Sequence, residues 1–186
     1  MSSLRFFIFV FICQVSIGGG LEQSLPVFTD VTKDAGIKFK HSYGDFDLSN
    51  IVEGTGAGAM FFDYDNDGWL DIYFVNGSWR KTVNDNRGRS LRGKLTNTLY
   101  RNNKDGTFSE VTEKAGVGDK SFSFGCSAAD FDNDGDLDLY VLNYGPNVFY
   151  RNNGDGTFTD ISESSGLANP KWSLLPALAG TGVRSR

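Results

Sequence analysis

The sequence predicts an all-β chain of β-propeller blades, an incomplete propeller of about two blades. Three observations carry that expectation. The chain repeats itself, each repeat divides into four short strands, and glycine-rich turns punctuate the strands (23 Gly against 4 Pro).

The repeat comes first, because a missed repeat misassigns the whole fold. Gly58–Asn76 and Gly125–Asn143 share 10 of 19 positions without a gap, and Asn97–Val117 and Asn147–Leu167 share 11 of 21. Phe28–Ile37 is a third, partial copy of Phe108–Val117 and Phe158–Leu167. In the first unit, strands are expected at Ala59–Phe62, Asp71–Val75, Thr98–Arg101 and Thr107–Val111. In the second they are expected at Ser127–Ala129, Leu137–Leu142, Val148–Arg151 and Thr157–Ile161. Asp105-Gly106 and Asp155-Gly156 mark tight turns, since both residue types tolerate positive φ. Ile72-Tyr73-Phe74-Val75 is apolar on both faces, as in a sheet held between neighbours. Thr112–Gly116 and Ser162–Gly166 each suit one helical turn, capped by the hydroxyl and stopped by a left-handed Gly.

Four strands per unit of roughly 50 residues is the pattern of propeller blades, and a closed ring needs about 4 to 8 of them. About two blades leave unpaired edges and exposed faces, so marginal stability or self-association is expected. The domain plan is a signal peptide at 1–20 and an N-terminal strand and insertion at 21–53. The first repeat, 54–117, carries a basic insertion at 77–96. The second spans 118–169, and an atypical tail at 170–186 reads as the start of a truncated third.

Composition narrows the class. Aromatics at 14% with 16 Phe indicate a packed body, and the net charge of −5 is concentrated in two acidic loops. Arg80, Lys81, Arg87, Arg89, Arg92 and Lys94 sit among Gly, Asn and Ser without stacking aromatics. They read as a solvated loop rather than a polyanion site, and no nucleic acid is expected. Arg5, the apolar run Phe6–Ile12 and small residues at Ser16 and Gly18–Gly20 form a secretory signal. That run is too short for a membrane span. An extracellular location follows, or a periplasmic one in a bacterium. Removing the signal leaves Cys126 without a disulfide partner, so it is read as a small buried hydrophobe rather than a reactive thiol.

The acidic loops carry the chemistry. Asp63-Tyr64-Asp65-Asn66-Asp67-Gly68-Trp69-Leu70-Asp71 and Asp130-Phe131-Asp132-Asn133-Asp134-Gly135-Asp136-Leu137-Asp138 both fit D-x-D-x-D-G-x-x-D. Carboxylates at loop positions one, three, five and nine, with the position-seven carbonyls of Trp69 and Asp136, make a hard oxygen cage suited to Ca²⁺. Neither loop contains His or Cys, which argues against zinc and copper. Phe74 and Val141 stand where an EF-hand needs Glu, and the flanks read as strands.

These loops, followed by Asp-Leu-Tyr-Val and Tyr-Arg-Asn-Asn-x-Asp-Gly-Thr-Phe, resemble FG-GAP/VCBS repeats. The added Phe-Thr-Asp-Val-Thr-x-x-Ala-Gly is similar to the cartilage-acidic-protein-like branch, associated with ASPIC/UnbV modules. The resemblance covers about residues 28–172. It implies integrin-α-like propeller repeats with structural calcium on Asp63, Asp65, Asp67 and Asp71, and on Asp130, Asp132, Asp134 and Asp138. It also implies extracellular adhesion or interaction roles. The segment from Ser173 to Arg186 departs from that pattern and reads as a truncated, frameshifted or alternative end.

His41 is the sole histidine and reads as a loop residue, and no nucleophile or phosphate-loop motif occurs. Asn76-Gly77-Ser78 fits a glycosylation acceptor. Two functional classes remain. One is a non-catalytic adhesion module that binds an extracellular protein or glycan. The other is an ancillary part of a larger secreted enzyme.

Overall fold

A computed structural model describes residues 27–41, 58–77, 95–169 and 171. The expected signal peptide, the core of the basic insertion and nearly all of the tail lie outside the described residues. The chain forms two four-stranded antiparallel sheets, each a simple meander. The first holds β1 (Ala59–Phe62), β2 (Asp71–Phe74), β3 (Thr98–Asn102) and β4 (Phe108–Glu110), followed by the single turn α1 (Thr112–Ala115). The second holds β5 (Ser123–Ala129), β6 (Asp138–Asn143), β7 (Val148–Asn152) and β8 (Phe158–Asp160). This is the all-β, two-blade architecture that the repeat predicts, and the described residues form no closed barrel. Among the described residues, no helix is long and apolar enough to cross a membrane.

The two sheets share one core. Tyr73, Val75, Leu99 and Val117 of the first repeat and Leu139 and Val141 of the second are fully buried. Each fully buried side chain of this size contributes roughly 1.5–3 kcal/mol. As expected of a sandwiched strand, β2 buries Ile72 and Tyr73 on opposite faces. The innermost strands approach closely: a Cβ on Gly58 would lie 3.3 Å from the Phe124 carbonyl oxygen. The Ser123 N–H donates to the Asn76 carbonyl across the junction (3.0 Å).

Three details differ from the sequence expectation. First, β5 starts at Ser123 rather than Ser127 and carries an irregularity between Ser123 and Gly125. Gly125 serves the close approach of the inner strands, since a Cβ on Gly58 would lie 3.5 Å from its Cα. Second, the hydroxyls of Thr112 and Ser162 do not cap helical turns. The N-cap of α1 is Val111, without a side-chain bond, and Ser162–Gly166 is a turn. Each hydroxyl instead accepts a strand N–H, from Leu99 (3.0 Å) and Phe149 (2.8 Å). The left-handed stops are as expected, with φ 77° at Gly116 and 73° at Gly166. Third, Asp105 and Asp155 keep negative φ, while Lys104, Gly106, Gly154 and Gly156 take the left-handed values. The two Asp carboxylates hold the turns by accepting the N–H groups of Thr107 (2.9 Å) and Thr157 (3.0 Å).

The third copy, Phe28–Ile37, forms the turn but not the expected strand. A fourth strand forms only against a third, and none stands beside it among the described residues. Asn76, read as a glycosylation acceptor, is buried at 3% exposure and donates its amide to the Lys40 carbonyl (3.0 Å). The folded chain therefore does not offer that nitrogen for modification.

Thr112→Val and Ser162→Ala should each strand a buried N–H and cost about 1–3 kcal/mol. Urea unfolding checks this, with a lower midpoint at an unchanged slope as the expected result.

Candidate functional site

Each acidic loop connects the first two strands of its sheet, and the two are built alike. Asn66 (φ 53°) and Gly68 (φ 85°) turn the first loop, and Asn133 (φ 60°) and Gly135 (φ 95°) turn the second. Asn is among the few side chains that adopt a left-handed backbone readily. The opening carboxylate folds the loop over itself. Asp63 accepts the N–H groups of Asp67 (3.0 Å) and Gly68 (2.8 Å). Asp130 accepts those of Asp134 and Gly135 (both 3.1 Å).

The closing carboxylate lies at the base and is fully buried in both loops. Asp71 accepts the N–H of Tyr64 (3.0 Å) and of Asn102 on β3 (2.8 Å). Asp138 accepts those of Phe131 and Asn152 (both 2.9 Å). Asn102 and Asn152 then return their amides to the Leu70 (3.0 Å) and Leu137 (3.1 Å) carbonyls. The sequence reading missed these two asparagines as part of the site. The signal was present in the recurring Tyr-Arg-Asn-Asn.

Oxygens of Asp63, Asp65 and Asp71 come within 4.8 Å of one another, as do those of Asp130, Asp132 and Asp138. Each triad could hold a metal ion. Burial pushes the Asp71 carboxyl up to about 6, with Asp65 and Asp67 adding repulsion, and it raises Asp138 as well. Asp65 Oδ1 is buried and has no hydrogen-bond donor. Converging buried negative charge with an unsatisfied oxygen is what a cation relieves.

The other expected site residues lie around these triads. Asp67 is drawn to Lys104 Nζ (3.2 Å) and Arg101 Nη2 (3.1 Å), while Arg101 Nε also holds Asp65 (2.7 Å). The Trp69 N–H donates to Asp67 (3.1 Å), and the residue is 48% exposed. Asp134 accepts the Asp136 N–H (2.9 Å). The Asp136 carboxylate accepts the Asn66 amide from the other loop (2.6 Å), so the two loops touch. His41 lies apart, beside Phe39, with ring centroids 6.2 Å from one another. Cys126 is packed against the core, and burial raises its thiol to about 12, consistent with an inert side chain.

Two predictions follow from this electrostatic contrast. Among the described residues, no Lys or Arg pairs with the second loop, and Gly154 stands where the first repeat has Lys104. Lys104→Gly should therefore tighten divalent-cation binding at the first loop several-fold and leave the second unchanged, read by calorimetry. The second prediction concerns pH. A carboxyl held above its ordinary range means that the native state binds more protons than the unfolded chain, so stability falls as pH rises. In chelator, the melting temperature should fall between about pH 4 and about pH 6, the window set by Asp71. Asp71→Asn should flatten that slope.

A family model of the FG-GAP-like repeat matches residues 63–141 and again 130–179. Each match begins at the first Asp of an acidic loop, so the family repeat and the loops described above share one register. No curated protein matches the chain significantly. The two matches together span more than half of the sequence, and the chain belongs to the FG-GAP-like repeat family.

Proposed function

We propose that this chain is a secreted, calcium-binding interaction module of the cartilage-acidic-protein-like branch. In this reading calcium stiffens the blade loops, and the partner is an extracellular protein or glycan. Repeats of this family are typically non-catalytic interaction modules. The observation that carries the reading is the pair of like-built acidic triads, each with a fully buried closing Asp. Calcium would be held by Asp63, Asp65 and Asp71 in one loop and by Asp130, Asp132 and Asp138 in the other. Asp67, Asp134 and the carbonyls of Trp69 and Asp136 are the further ligands that the loop pattern supplies. The ion contributes charge neutralisation, which fixes each loop to its sheet, and a Ca²⁺-sized oxygen cage suits that role. Residues 1–20 act as the export signal, and 54–117 and 118–169 are the two repeat units.

Calcium titration by calorimetry, with thermal melting in parallel, tests this. About two ions should bind per chain, with dissociation constants near ~10⁻⁴–10⁻³ M or tighter, as in extracellular modules. Calcium at a hundredfold excess over its dissociation constant should stabilise each site by about 2.7 kcal/mol. Asp71→Asn and Asp138→Asn should each remove one ion. A folded chain that takes up no calcium would overturn the assignment.

A further inference from the structure

The junction between the two sheets is a plug in a socket. The plug is Tyr64 of the first acidic loop, only 4% exposed. Its ring lies 6.3 Å from that of Phe158, and its carbonyl accepts the Asn152 amide (2.8 Å). A Cβ on Gly156 would sit 3.8 Å from the same ring. Beside the plug, the turn that ends the first repeat rests on the second sheet, where a Cβ on Gly116 would lie 3.4 Å from the Phe158 carbonyl oxygen.

The repeat supplies each of these parts a second time. The copy of the plug is Phe131, at the far side of the second sheet, where it rests edge-on against Phe149 (5.1 Å) and is 51% exposed. The copy of the docking turn is Gly166, which faces open space. The copy of the socket is Asn102, Gly106 and Phe108 on the first sheet. Gly106 also faces open space, and Phe108 is less buried than Phe158. Among the described residues, then, no other sheet receives Phe131, and no aromatic ring fills the socket on the first sheet.

One half of that first-sheet face is already covered by the chain itself. Gly36 stands where Gly116 stands in the junction, and a Cβ on it would meet the Phe108 carbonyl oxygen at 3.0 Å. The Ala35 carbonyl accepts the Phe108 N–H (2.9 Å), and the Lys38 N–H donates to the Tyr100 hydroxyl (3.1 Å). Phe39 stacks on Phe74 (4.6 Å), and the Lys40 carbonyl accepts the Asn76 amide (3.0 Å). Residues 31–41 therefore occupy the place that a preceding repeat would give to its closing turn.

We propose that the outer face of the first sheet docks the outer face of the second sheet of another copy of this chain, and that residues 31–41 block this by covering half of the face. Phe131 of the incoming copy enters the socket of Asn102, Gly106 and Phe108 as Tyr64 enters its own. The incoming Gly166 turn needs the place that Gly36 holds, so latch and docking exclude each other. The contact is heterologous and leaves one plug and one socket free at the ends, so it propagates until a ring closes. An exposed aromatic anchor entering a preformed pocket is the kind of contact that dominates interface energy. This proposal stands apart from the calcium reading.

Sedimentation velocity over a concentration series, at one fixed calcium level, tests it. The parent chain should be monomeric. Gly36→Val forces a branched side chain into a left-handed backbone against the Phe108 carbonyl and releases the latch. It should associate at least tenfold more strongly, into oligomers whose size grows with concentration. Adding Phe131→Ala should return it to monomer. Circular dichroism and a cooperative melt establish folding, and faster tryptic cleavage at Lys33, Lys38 and Lys40 establishes release. Phe39→Ala is the second latch variant if Gly36→Val does not fold. A released latch with a persistent monomer would overturn the proposal, as would a parent chain that is already oligomeric. Oligomers that survive Phe131→Ala would overturn it too, because they would arise from unspecific exposure.

Discussion

A buried carboxylate organises each sheet. Asp71 has no solvent exposure, yet it joins three pieces of chain: its own strand, the loop through the Tyr64 N–H, and β3 through the Asn102 N–H. Asp138 does the same for Phe131 and Asn152. Hydrogen bonds to a charged acceptor are the stronger kind. Two of them from the backbone fix both the loop's exit and the register of the third strand. The arrangement also has a cost, because desolvation raises both carboxyls against the charged state that makes those bonds strongest. Structural order and charge strain are two consequences of one placement. A cation beside the buried group removes the strain without disturbing the bonds.

The sheets supply the second constraint. A four-stranded sheet with apolar residues on both faces cannot stand alone, and here each sheet covers one face of the other. Tyr73, Val75, Leu99 and Val117 meet Leu139 and Val141 in a single core. The polar residues that recur between repeats tie the ends of neighbouring strands and turns within each sheet. The Asn76 N–H donates to Asn97 (2.7 Å), and the Asn143 N–H donates to Asn147 (2.9 Å). Tyr73 and Tyr140 tie their sheets to the following turns through the Val117 (2.8 Å) and Leu167 (3.0 Å) carbonyls. Identity between the repeats is therefore a record of hydrogen bonds as much as of packing.

Much of this was legible in the sequence. The strand β1 and the positions of both loops follow from the alternation of Asp with a Gly at the turn, a local pattern that needs no tertiary information. What was not legible depends on partners distant in sequence. Thr112 looks like a helix cap because its neighbours permit a helical turn, but a strand N–H 13 residues away takes its hydroxyl. The role of Gly125 leaves no local signal because its use, a close approach of two inner strands, lies between sheets. Arg101 and Lys104 belong to a hairpin more than 30 residues from the carboxylates they neutralise. The contact from Asn66 to Asp136 spans 70 residues.

The two loops show what a repeat permits once its scaffold is fixed. Their backbone turns and carboxylate bonds coincide, so the difference between them lies in the side chains that face the carboxylates. The first has Arg101 and Lys104 within ion-pair distance, and its Asp63, Asp65 and Asp67 are half-buried. The second has Gly154 in place of Lys104, and Asp130, Asp132 and Asp134 are exposed. Like charges at such distances repel unless they are neutralised, and screening by water is weaker where they are half-buried. The half-buried loop is the one with an internal cation, whereas the exposed loop can lean on solvent. The exchange of Lys104 for Gly154 removes one of the two cations that face the first loop, and Arg151, the counterpart of Arg101, forms no ion pair with the second among the described residues, so the two loops differ in charge with no change to the fold that holds either.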